Sequence, residues 1–139
     1  MFTSDTEKRA ALPLKTALVY LGVSLFCALF GGVYEAFSHG VYSYCMLYAF
    51  AFPLVLGTAP YLLLSYRRVR IRSAAAQSIW HAGVATLTVG SIVNGALQIY
   101  GTTNPLTAVY WILGGAMLLL ASVLVLAAGK KRFVRAAVQ

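Results

Sequence analysis

Four long apolar runs dominate this chain of 139 residues, and they limit what it can fold into. They cover residues 16–37, 41–65, 74–100 and 106–128, and only the first contains a charged side chain, Glu35 near its end. A helix needs about 20 apolar residues to cross about 30 Å of hydrocarbon. Each run reaches that length, so the chain reads as an all-α integral membrane protein with four transmembrane helices in one domain. The first run is too long for the apolar core of a cleaved signal peptide, and no small-x-small cleavage site precedes a soluble mature domain.

Composition agrees. Hydrophobic residues make up 60% and charged residues 10% of the sequence, against about a quarter charged in an ordinary soluble domain. So few charges cannot coat a soluble globule, and so much apolar content excludes disorder.

Helix punctuation falls between the runs. Pro13 precedes the first and Gly40 sits in the tight turn after it; Gly101 follows the third. Asn104-Pro105 reads as an N-cap and first helical position, and Gly129 with Lys130, Lys131 and Arg132 as a stop. Pro53 and Pro60 lie inside the second run and should kink or loosen it. The polar residues 1–12 are expected to form a mobile cytoplasmic tail, and residues 130–139 a second cytoplasmic tail.

The net charge of +8 could suggest nucleic acid, but position argues otherwise. All 11 basic residues fall in three segments: Lys8, Arg9 and Lys15; Arg67, Arg68, Arg70 and Arg72; Lys130, Lys131, Arg132 and Arg135. With four spans these segments share one side, and the positive-inside rule makes it the cytoplasm, with both termini there. The expected location is the cell (plasma or inner) membrane, multi-pass. The basic residues then meet anionic headgroups at about 1 kcal/mol each. No folded basic domain with interleaved aromatics is present for nucleic acid, so the lipid bilayer is the expected partner.

Intramembrane polar residues are costly, so they are the functional candidates. On the first span Tyr20, Ser24, Cys27, Gly31 and Glu35 form one small and polar stripe. Glu35 and His39 are four apart and can pair if the helix continues that far. They are candidates for an outward-facing proton or cation site, joined by Asn94 and Gln98 from the third span. There Ala82, Thr86, Gly90, Asn94 and Gln98 recur every fourth residue, and the first three read as a helix-packing seam. Trp80 fits an interfacial aromatic belt, and a cluster of tyrosines marks the opposite interface. Cys27 and Cys45 read as small buried apolar residues with no metal-type spacing.

His39 and His81 are the two histidines and the candidate ligands of a haem b. They belong at different depths, about 20 Å or more apart at 1.5 Å per residue, so one iron in one chain cannot take both. A symmetric dimer, or Met46 as the second ligand, would complete the ligation only with an added assumption, so no cofactor or metal is expected and haem b ranks last. No phosphate loop, HExxH or paired catalytic carboxylates appear, which argues against an enzyme. Three readings remain: a small transport or permeation unit, expected to be a homo-oligomer because four spans enclose little volume; an accessory subunit of a larger membrane complex; and a haem redox protein.

Overall fold

The computed structural model describes residues 2–67, 71 and 73–137, with side chains for residues 13–67, 71 and 73–129. Arg68, Arg70 and Arg72, and the side chains of the basic residues in both tails, lie outside the described residues. All described secondary structure is helical. We number the α-helices α1 (Phe2–Ala36), α2 (Tyr44–Leu47), α3 (Ala59–Tyr66), α4 (Ala74–Ile99) and α5 (Ala108–Ala137). Between α2 and α3 lies a π-helical stretch, Pro53–Thr58, and before α5 a 3-10 turn, Pro105–Thr107. Three helical segments, Pro13–Ala36, Ala74–Ile99 and Pro105–Gly129, are long and apolar enough to cross a membrane.

The third apolar run becomes a helix almost as its pattern implies. Ser73 begins α4 by accepting a hydrogen bond from the Ala76 amide, the ordinary N-cap device. Asn104 caps the next element through the Leu106 amide, with Pro105 at its first position. Gly40 and Gly101 take positive φ, 89° and 73°, where L-residues are strained. His39, at φ 54°, shares that turn.

Two helices outrun their expected ends. α1 begins at Phe2, not at residue 16, so Pro13 is inside it. The stretch Glu7-Lys8-Arg9-Ala10-Ala11-Leu12 consists of strong helix formers. At the other end α5 passes through Gly129 to Ala137. One helical glycine costs about 1 kcal/mol, which the flanking Ala, Lys and Arg offset.

The second run differs most from a plain span. It is α2, a turn at residues 48–50, and a helix from 51 to 66 whose middle is the π stretch. The cause is legible in Pro60. It has no N–H to give the Leu56 carbonyl four residues back, and its ring crowds that carbonyl. The helix widens instead, and the Ala59 amide bonds the Leu54 carbonyl five residues back.

These segments pack as a layer around α4. The broken segment runs antiparallel to α1, with Glu35 meeting Ser43 and Tyr20 meeting Tyr61. It also runs antiparallel to α4, from Gln98 beside Ser43 to His81 beside Tyr61. α5 packs on α4 through Gly83, Leu87 and Gly90 against Gly114, Leu118 and Tyr110. The polar stripe of α1 is its packing face, since Ser24 and Cys27 are buried. The remaining faces of α1 and α5 expose Leu18, Phe26, Leu29, Ile112, Leu119 and Leu126.

Candidate functional site

A helix that breaks inside an apolar layer strands backbone carbonyls, and each needs a donor. In the turn after α2 the Ala49 amide bonds the Met46 carbonyl, which leaves the Cys45 carbonyl free. The hydroxyl of Ser91 on α4 donates to it at 2.5 Å. The Leu56 carbonyl, freed by Pro60, accepts from the Trp80 indole N–H at 2.8 Å. Both donors stand on one face of α4, eleven residues or three turns apart, and the two carbonyls are also eleven residues apart. The polar face of α4 is thus matched in register to the breaks in its neighbour. Trp80, expected only as an interfacial aromatic, is one of the two pins.

At the Gln98 end these contacts merge into one polar chain. The Ser43 amide donates to Glu35 Oε1 at 3.3 Å. The Ser43 hydroxyl, 2% exposed, caps α2 by accepting from the Met46 amide and donates to Gln98 Oε1 at 2.6 Å. Gln98 and Asn94 both turn their amide N–H toward Cys45 Sγ, at 3.7 and 3.3 Å. The Thr107 hydroxyl lies 3.5 Å from Asn94 Oδ1 and gives its hydrogen to the nearer Asn104 carbonyl. Three segments, α1, α2 with its cap, and α4, therefore meet through Glu35, Ser43, Cys45, Asn94 and Gln98. Glu35, Asn94 and Gln98 were the candidates from sequence; Ser43 and Cys45 were missed. Cys45 reads as a small apolar residue because nothing local shows that two amides will point at its sulfur.

His39 stands apart from this chain. α1 ends at Ala36, so the helical four-residue spacing that would pair His39 with Glu35 is lost. His39 instead lines a hollow of about 370 Å³ with Phe30, Tyr34, Phe37, Ser38 and Tyr100.

The expected seam on α4 is divided. Gly90 lies so close to Tyr110 that a Cβ there would overlap it. Thr86 turns its hydroxyl back to the Ala82 carbonyl at 2.8 Å, and both residues are half-buried. The glycine nearest the α5 backbone is Gly83, one residue from the expected row.

A second polar cluster lies at the other end of α4. The Tyr20 hydroxyl is 2.5 Å from His81 Nδ1, and the Tyr61 hydroxyl 3.4 Å from Nε2. The Tyr61 ring stacks on the imidazole, 15° from parallel at 5.5 Å. His81 was read from sequence as a candidate haem ligand with His39. About 27 Å of α4 separates it from Ile99, which lines the hollow beside His39. Among the described residues no group of three His, Cys, Asp or Glu could hold a metal.

Comparison with protein-family models, with curated proteins and with solved structures found no match.

Proposed function

We propose that the chain is a four-crossing protein of the cell membrane with both termini in the cytoplasm, acting as a small proton-linked transport or permeation unit. The broken second segment supports the crossing count. It accompanies α4 from Gln98 to His81, about 26 Å at 1.5 Å per residue, close to the thickness of the hydrocarbon. The three basic segments then fall on one side, and the positive-inside rule orients the bundle.

The single observation that carries the transport reading is the polar chain from Glu35 to Asn94, built on a discontinuous helix. Broken helices at membrane depth are tolerated where they line a site, and transporters place ion sites at such breaks. Glu35, the one carboxylate with a described side chain, is the proton- or cation-binding group, and Ser43, Asn94 and Gln98 hold the break beside it. The exposed apolar faces of α1 and α5 fit lipid and a second copy of the chain.

Proton flux in reconstituted vesicles is the test. A potassium diffusion potential set with valinomycin drives protons, and an entrapped pH dye reads them. Wild type should exceed protein-free vesicles, and Glu35→Gln should abolish the excess. Flux at the protein-free level in wild type, or unchanged flux in Glu35→Gln, contradicts the reading.

The exposed apolar surface of α1 and α5 equally favours an accessory subunit seated in a larger membrane complex. A stoichiometric partner retained through purification in mild detergent distinguishes it.

A further inference from the structure

The cluster at the His81 end is built from three helical segments, and its parts fit a task that a packing contact does not need. Tyr20 comes from α1, Tyr61 from α3 and His81 from α4. Both ring nitrogens meet a tyrosine hydroxyl. A neutral imidazole has one donor and one acceptor, so one hydroxyl donates to the ring and the other accepts from it. An imidazolium has two donors, and a tyrosine oxygen can accept as readily as it donates. The cluster therefore takes an added proton when one O–H rotates away, with no heavy atom displaced. The parallel tyrosine ring on the imidazole adds a π-face for the cationic form.

Two contacts tie this cluster to the π segment. The Tyr20 ring lies directly on Gly57, where a Cβ would overlap it. Trp80, beside His81 in sequence, holds the Leu56 carbonyl. Long π stretches are rare and gather at functional sites. Here one is clamped on both sides by neighbours of an imidazole.

We propose that Tyr20, His81 and Tyr61 form a proton-binding site whose occupancy is felt by the π segment Pro53–Thr58 through Gly57 and Trp80. The charged and titratable surroundings are sparse. Among the described residues Tyr20 and Tyr61 are the titratable groups in contact with the ring; Lys15 on α1 and Arg67 after α3 are exposed. Glu35 lies fifteen residues away on α1, about 22 Å at 1.5 Å per residue. On α5, Tyr110 packs at Gly90, nine residues along α4 from His81. The site stands on its own contacts and does not rest on the transport reading.

Trp80 supplies the readout. In a Trp111→Phe background it is the remaining tryptophan, and Phe keeps the ring contact with Phe52. Its emission is recorded in lipid nanodiscs from about pH 8.5 to about pH 4.5, the range in which imidazoles titrate. The expected result is one reversible transition that His81→Gln removes and His39→Gln leaves in place. Tyr61→Phe and Tyr20→Phe each delete an oxygen that the imidazolium needs, so each should displace the midpoint to lower pH. These two variants keep their rings, so they serve if His81→Gln fails to fold. No transition in the parent, a transition that survives His81→Gln, or a midpoint unmoved in both tyrosine variants overturns the proposal.

Discussion

Gly95→Leu should lower the unfolding midpoint in detergent by about 10 °C and release the α2 end of the broken segment from α4. A Cβ at position 95 would stand 2.7 Å from the Met46 amide nitrogen and 2.9 Å from its Cα. Those atoms belong to the main chain, so no rotamer change relieves the overlap. Met46 is 1% exposed and cannot retreat outward without opening the Ser43 and Ser91 contacts. Over-packing of a tight contact costs about 3 kcal/mol at the upper end, and each kcal/mol moves the midpoint of a chain this size by about 4 °C. Gly115→Leu is the control: a Cβ there meets nothing within 4 Å, and leucine is the better helix former. Equal midpoints for the two variants would show that α2 does not touch α4 at Gly95.

Gly83→Leu should be nearly as damaging but in a different place. A Cβ at Gly83 would lie 3.2 Å from the Gly114 carbonyl oxygen, and one at Gly114 would lie 3.3 Å from the Gly83 carbonyl oxygen. The two helices therefore cross almost backbone to backbone, as small residues allow. A leucine at this point pushes α5 off α4, at about 2–3 kcal/mol. Hydrogen exchange separates the two defects. Gly83→Leu should speed exchange in the middle of α5 and leave residues 43–50 protected, and Gly95→Leu should do the reverse. Faster exchange in both regions for both variants would mean that the bundle opens as one unit, not at two distinct contacts.

How much of this was legible in the sequence varied with how local the cause is. Three long apolar helices followed from run length, because hydrophobic periodicity and caps are local signals. α4 ends within one residue of its pattern, since Ser73 caps it and Gly101 takes the positive φ beyond it. Pro13 and Gly129 read as helix boundaries, which sets the start of α1 too late and the end of α5 too early; the strong helix formers around them override a single weak residue. The break in the second run was expected from its prolines, but its form was not. A π stretch depends on who takes the freed carbonyl, and that partner, Trp80, lies 24 residues away.

The candidate site divides in the same way. Glu35, Asn94 and Gln98 stood out as scarce polar groups, and the structure joins them through Ser43 and Cys45. The Ser43 cap on Met46 is local, but its bond to Gln98 and the acceptor role of Cys45 exist only when α2 lies against α4. His39 was tied to Glu35 by spacing, and the helix end at Ala36 removes that geometry. His81 was weighed as a ligand from sequence; the two tyrosines that hold it come from segments 61 and 20 residues distant.

We propose that the broken segment carries the chain across the membrane between α1 and α4. Single cysteines at Ser38, Ser73 and Thr103, in a chain with Cys27→Ala and Cys45→Ala, test it with a membrane-impermeant maleimide added to intact cells. The account predicts labelling at Ser38 and Thr103 and none at Ser73 until the cells are opened. Labelling of Ser73 from the same side as Ser38 would mean that the segment turns back, and would contradict it.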